Sequence, residues 1–120
     1  MSKKNIEKHI PKTMQVLKET FADGTFPSSY NGYISSFGAS VIQSGLTPTL
    51  ALFENRDVKT KEKKELLTNI ILQILAPNAQ EETLLEYILN SSEHEKYLKK
   101  KILDISIALK LSLRTFKKEE

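Results

Sequence analysis

The helical character of this chain is plainest in Glu65-Leu-Leu-Thr-Asn-Ile-Ile-Leu-Gln-Ile-Leu-Ala-Pro77. Its large apolar residues come in adjacent pairs that repeat every four positions, so they share one face of an α-helix. Pro77 cannot continue this helix, and we expect the helix to end at Ala76. The apolar face consists of Leu66, Leu67, Ile70, Ile71, Ile74 and Leu75.

A longer apolar stripe follows near the carboxyl end of the chain. Leu103, Ile107 and Leu111 widen it until the helix is apolar over much of its girth, which predicts a central position in a bundle. Capping-box spacing at Ser92 and Glu95 predicts where this helix begins, and the same spacing at Asn78 and Glu81 predicts a short helix before it, with Leu84, Leu85, Ile88 and Leu89 as its apolar residues. The stripe consists of Leu98, Ile102, Ile105, Leu109, Leu113 and Phe116.

Three more helices are predicted upstream. The first runs from Ile6 through Ile10, Met14 and Leu17 to Phe21, with Pro11 either opening it or kinking it. The second carries Tyr30, Tyr33, Ile34, Phe37, Val41 and Ile42 on one face and stops at Gly45. A short third helix starts at Thr47 or Pro48 and closes at Asn55-Arg56-Asp57. No segment alternates as a half-buried strand would, so we predict one all-α domain over residues 1–120, a compact bundle of about five to six helices with a long carboxy-terminal helix.

No charged side chain occurs between Gly24 and Phe53, although 28% of the whole chain is charged. The stretch is too polar to span a membrane. Its second helix presents small, neutral residues opposite the aromatic face, which would let another backbone come close. Two interpretations remain open: this face packs inside the chain's own bundle, or it meets a partner. It consists of Gly32, Ser35, Ser36, Ala39, Ser40 and Gln43.

Positive charge is concentrated at the two ends of the chain. On the last helix, Lys96, Lys99, Ser106, Lys110, Arg114 and Lys117 project within a band about 80° wide and about 30 Å long. Such a band could follow a phosphate backbone without reading bases, or it could be a solvated helix face. At the other end, Lys3, Lys4, Lys8 and Lys12 could extend it. Tyr30 and Tyr33 could stack on bases, although aromatic residues at helical spacing also suit a core.

The sequence contains no recognisable catalytic constellation. His9 and His94 stand among charged residues, where surface imidazoles are ordinary, and adjacent carboxylates such as Glu81/Glu82 or Glu119/Glu120 diverge by about 100° on a helix. The glycines do not form a phosphate-binding loop, because no strand precedes them. Cysteine is absent. We therefore expect a protein that is not an enzyme and has no metal or cofactor. Without an apolar block behind the amino-terminal charges, we also expect it to be cytoplasmic.

A family resemblance is carried by Tyr30-Asn-Gly-Tyr33, which leads through the uncharged helix into Ser44-Gly-Leu-Thr-Pro-Thr-Leu-Ala-Leu-Phe53. With the chain length and the helix order, it makes residues 10–118 resemble the small, all-helical subunit of the Cmr (type III-B) CRISPR RNA-guided effector complex. The chain lacks the Trp often found near the end of that family's last helix, where Phe116 stands.

The resemblance implies a non-catalytic subunit of an RNA-targeting complex. It would form a minor filament beside the crRNA-bearing backbone, in contact with other Cmr subunits, copies of itself, crRNA and target RNA, and would need no small-molecule substrate or membrane. The basic band, and not the resemblance, supplies the residues expected to contact RNA, which are Lys96, Lys99, Lys110, Arg114 and Lys117. Those expected at a structural position or a partner interface are Tyr30, Gly32, Ser36, Gly45 and Leu46.

Three alternatives remain open. The chain could be the small subunit of the related type III-A (Csm) complex, or a helical protein–protein adaptor without nucleic-acid contact. A helix-turn-helix regulator would use the turn at Gly45, but the following Leu50–Phe53 segment has no Arg, Asn or Gln to read base edges.

Overall fold

A computed structural model of the chain describes residues 3–55 and 61–118, and the side chains of all of these except residues 61–63. Seven helices and two very short strands form this part of the chain, so the predicted all-α class is confirmed. The elements in order are α1 (Lys3–Glu7), α2 (Ile10–Thr20), β1 (Thr25–Phe26), α3 (Tyr30–Ser44), α4 (Leu46–Phe53), α5 (Lys61–Leu75), α6 (Leu84–Asn90), α7 (Glu95–Leu113) and β2 (Lys117–Lys118).

Helix α7 is the centre of the bundle, as its wide apolar surface predicts. It packs against α1, α2, α3 and α5. Its buried side chains, from Leu98 to Leu113, join the buried faces of α3 and α5 in a single core. None of the helices in the described part of the chain combines the length and the apolarity that crossing a bilayer requires.

The turn between α3 and α4 depends on Gly45. Its φ of +96° is a conformation that side-chain-bearing residues rarely adopt, and its N–H donates to the carbonyl of Val41 at 3.0 Å. The chain then reverses, and Phe37 of α3 meets Phe53 of α4 edge to face with 5.3 Å between the ring centroids. The predicted end of α3 at Gly45 is therefore confirmed.

Two predicted helix starts are wrong. Helix α6 begins at Leu84, and its cap is Thr83, whose Oγ1 accepts from the N–H of Glu86 at 3.1 Å. Residues 77–83 are not helical, so Asn78 and Glu81 do not form the predicted box, and the Glu81 carboxylate accepts from the Asn90 side chain at 3.3 Å.

Helix α7 is likewise capped by a residue other than the predicted Ser92. The imidazole Nδ1 of His94 accepts from the N–H of Lys96 at 3.2 Å. This histidine is exposed, as expected, and its role in the structure is that of a helix cap.

The chain ends differ from the predicted continuous helices. α1 stops at Glu7 and Pro11 lies in the first turn of α2, so of the two interpretations of Pro11 the opening one holds. α7 ends at Leu113, three residues before Phe116, and β2 then pairs in parallel with β1. These two-residue strands were not predicted, since they are too short to show an alternating pattern.

Two further expectations concern residues around α3 and α4. Ile42 was predicted on the apolar face of α3 but is 66% exposed, because it projects about 100° away from the buried Val41. α4 ends at Phe53. Arg56 and Asp57, predicted to close it, lie outside the described residues, as do Glu119 and Glu120.

Candidate partner and nucleic-acid surfaces

The small neutral residues of α3 form an open surface. Opposite the buried Tyr30, Ile34, Phe37 and Val41, this helix is not covered by another element of the described chain. We name its exposed residues the α3 face; they are Gly32, Ser35, Ser36, Ala39 and Gln43. Ser40, at its edge, is half-buried and shares a hydrogen bond of 2.8 Å with the hydroxyl of Thr49. Of the two interpretations of this face, packing inside the chain's own bundle is therefore excluded.

Glycine on this helix has no packing reason within the described chain. A Cβ added at Gly32 or at Gly38 would meet no atom within 4 Å. Glycine in a helix costs roughly 0.5–1 kcal/mol of stability relative to alanine. The chain thus carries this cost at Gly32 without any contact of its own that requires it.

Three residues expected at a structural or interface position prove to be structural. Tyr30 and Leu46 are each 1% exposed, so their side chains belong to the core and cannot meet a partner. Burial raises the pKa of the Tyr30 hydroxyl, whose ring packs edge to face against Phe21 and Tyr33. Gly45 forms the turn described above. Gly32 and Ser36 remain as surface positions.

The predicted basic band does not run continuously along α7. Ser106, at its middle, is buried, and its hydroxyl donates to the carbonyl of Leu103 at 2.7 Å. The cations therefore form two groups separated by about 16 Å of helix axis. Lys96 and Lys99 lie on the first turns of α7. We call the other three, Lys110, Arg114 and Lys117, the carboxy-terminal cations.

One of the carboxy-terminal cations adjoins the α3 face. The ammonium of Lys110 donates to the hydroxyl of Ser35 at 2.7 Å, which brings this cation to the edge of the neutral surface. Arg114 is the exposed C-cap of α7, and Lys117 is exposed on β2. The neutral α3 face and the Lys110 ammonium are thus neighbours on the surface.

A second cationic site was not predicted from the sequence. Because α1 lies on α7, it brings Lys8 near Lys100 and Lys101, and a cavity of about 210 Å³ opens between them. Tyr97 lines the cavity, and the Lys101 ammonium lies 4.5 Å from the centroid of its ring. A hydrogen bond with Tyr97 raises the pKa of Lys101. The spacing of Tyr97, Lys100 and Lys101 was visible in the sequence, but the docking of α1 was not.

His9 departs from the surface imidazole that was expected. It is half-buried beside this cavity, and its Nε2 has no hydrogen-bond partner among the described residues. Burial is the main cause that lowers its pKa, and the charge of Lys8 adds to the effect. At neutral pH the imidazole is therefore uncharged.

Another concave region is acidic. Glu54, Glu65 and Glu82 line it together with Thr68 and Thr83. Burial raises the pKa of Glu54, whose Oε1 accepts from the N–H of Leu85 at 3.3 Å. This carboxylate holds the start of α6 against the end of α4. Among the described residues, no group of three or more His, Cys, Asp or Glu side chains could hold a metal ion.

These features define a small all-helical domain with an open neutral face that Lys110 borders. The family model described as CRISPR-associated protein (Cas_Cmr5) matches residues 3–110. The chain therefore belongs to this family, the small subunit associated with Cmr (type III-B) CRISPR effector complexes. The resemblance drawn from Tyr30–Phe53 is confirmed, and the match favours type III-B over type III-A. Searches of curated proteins and of solved structures gave no significant match.

Proposed function

We propose that this chain is a non-catalytic subunit that forms a minor filament beside the crRNA-bearing backbone of the Cmr complex. In this role the α3 face contacts a copy of the chain or a backbone subunit. The carboxy-terminal cations contribute contacts to the phosphates of guide or target RNA. The reaction chemistry belongs to other subunits.

The observation that carries the proposal is the exposed α3 face. Charged residues make up 28% of the chain, yet none occurs in the thirty residues that include this helix. An uncharged surface suits a contact from which water is excluded, since the cores of protein interfaces are depleted of charged residues. Gly32 and the small serines allow a neighbouring backbone to approach closely.

The cations beside this face supply the second half of the proposal. Lys110, Arg114 and Lys117 are exposed, and an RNA strand passing the edge of the contact would meet them. Lysine offers a point charge without a bidentate fork, so these contacts would be independent of base sequence. That property suits a subunit of a complex in which the guide RNA selects the target.

The test is the salt dependence of target-RNA affinity in the assembled complex. Removing a cation that binds one phosphate should reduce the slope of log affinity against log salt by about 0.7 to 0.9. The triple variant Lys110→Ala, Arg114→Ala, Lys117→Ala should therefore lower that slope by roughly two.

A purely structural adaptor is the competing function. It is favoured by one contact, the hydrogen bond from Lys110 to Ser35, because this bond engages one of the three cations within the chain. The adaptor predicts that changes on the α3 face abolish assembly, whereas the triple cation variant binds target RNA with an unchanged slope. An unchanged slope would therefore refute the RNA contact and leave the adaptor.

A further inference from the structure

The cavity between α1 and α7 lies on a different side of α7 from the predicted basic band. Tyr97, Lys100, Lys101 and Asp104 line it at spacings of three and four, which places them on one helical face. That face is turned by about 100° from Lys96. Across the cavity, the chain around α1 contributes Asn5, Lys8 and His9.

An exposed aromatic ring is the first unusual feature of this cavity. Tyr97 is 51% exposed, whereas Tyr30, Tyr33 and Tyr87 are buried or packed against the core. Its ring carries the Lys101 ammonium at 4.5 Å and still leaves half of the side chain accessible. A ring exposed in this way within a positive groove is a platform on which a nucleobase can stack.

An excess of positive charge is the second feature. Lys8 and Lys100 are exposed, Lys101 is half-buried, and none of the three ammonium groups has a carboxylate within 4.0 Å among the described residues. The one acidic group of the cavity is Asp104, which is 3% exposed and forms its floor. His9 is neutral because burial lowers its pKa. The cations at the rim are therefore available to an anionic ligand.

We infer that this cavity binds one unpaired nucleotide of a single-stranded RNA, with the base on Tyr97 and the phosphate between Lys8 and Lys100. The choice of RNA as ligand rests on the proposed function. A single strand fits better than a duplex, because only an unstacked base offers its face to the ring. An acidic peptide would use the cations but leave the ring without a partner.

The experiment is a titration of the isotopically labelled full chain with hexauridylate at low salt, followed by amide chemical shifts. The expected shifts centre on residues 5–9 and 97–104, and a hexamer duplex should bind more weakly than the single strand. Tyr97→Ala should weaken binding about 5- to 150-fold, the range for loss of one stacked base. Tyr97→Phe keeps the ring and should retain the affinity.

Charge is tested separately from stacking. The double variant Lys8→Ala, Lys100→Ala should reduce the salt slope by about 0.7, the value for the one phosphate of a single strand that the two ammonium groups share. Lys118→Ala, exposed on β2, is the control lysine and should leave the slope unchanged. An amide spectrum with the native dispersion confirms that each variant is folded.

Three results would overturn the inference: no binding of hexauridylate, equal affinity of the Tyr97→Ala and Tyr97→Phe variants, or shifts confined to residues outside the cavity. The proposed function fails by a different measurement, the slope of the Lys110, Arg114 and Lys117 triple variant in the assembled complex. If the triple variant reduced the salt slope in the complex but Tyr97→Ala left the hexauridylate affinity unchanged, the nucleotide site in the cavity would be rejected and the proposed role of the subunit would stand.

Discussion

Gly32→Ala should make the isolated chain more stable and the assembled complex weaker. The added methyl group meets no atom within 4 Å, so it introduces no clash in the free protein. Removing glycine from a helix stabilises by roughly 0.5–1 kcal/mol, and the lower value applies because Gly32 lies in the first turn of α3. For a chain of 120 residues, about 0.5 kcal/mol raises Tm by roughly 2 °C.

The effect on assembly has the opposite sign. If a neighbouring backbone lies against Gly32, the methyl group overpacks the contact, at a cost of about 1–3 kcal/mol, or roughly 5- to 150-fold in subunit affinity. Thermal unfolding of the free chain measures the first effect. Competitive incorporation of wild-type and variant chains into the reconstituted complex, read by native mass spectrometry, measures the second.

Gly38→Ala is the matched control for this experiment. It is the same substitution on the same helix, again with no atom within 4 Å of the new Cβ, but Gly38 lies about 120° around the helix from Gly32. It should stabilise the free chain and leave incorporation unchanged. Destabilisation by Gly32→Ala would show an internal role for this glycine, and equal incorporation of the two variants would refute the interface.

Two other predictions concern the free chain. Gly45→Ala should lower the free energy of unfolding by about 1–3 kcal/mol in urea denaturation, because φ of +96° with ψ of 166° is a conformation that alanine adopts only under strain; an unchanged midpoint would contradict this interpretation of the turn. The lowered pKa of His9 gives the second: the unfolded chain takes up a proton near pH 6.5 that the folded chain takes up only at lower pH. The free energy of unfolding should therefore fall as the pH drops from 6.5 toward the pKa of His9 in the folded chain. His9→Gln should lessen this fall in unfolding curves measured between pH 7.5 and 5. An equal fall in both proteins would exclude His9 as its source.

The helices could be predicted because their signals are local. The paired apolar residues from Leu66 to Leu75 and the break at Gly45 each depend on neighbours a few residues away. The cap of α6 could not be predicted in this way. Asn78 and Glu81 have the spacing of a capping box, yet the Glu81 carboxylate is hydrogen-bonded to the Asn90 side chain. Sequence spacing does not show which competing partner a side chain takes.

The candidate surfaces could also be predicted only in part. The absence of charge from Gly24 to Phe53 revealed an unusual segment, but only the packed structure separates the buried Tyr30 and Leu46 from the exposed Gly32 and Ser36. The predicted band on α7 failed to be continuous because Ser106 faces the packed interior. The cavity at Tyr97 depends on α1 docking from the far end of the chain, a contact that helical periodicity does not encode.

The central claim, that a neighbouring subunit covers the α3 face, can be tested with a single thiol. The chain has no cysteine, so Ser36→Cys introduces the one site for maleimide labelling. Ser92→Cys, at an exposed serine that is not part of this face, serves as the reference. The account predicts that the thiol at position 36 labels rapidly in the free chain and slowly in the assembled complex. The labelling rate of the thiol at position 92 is the reference against which this protection is measured. Equally rapid labelling of position 36 before and after assembly would contradict it.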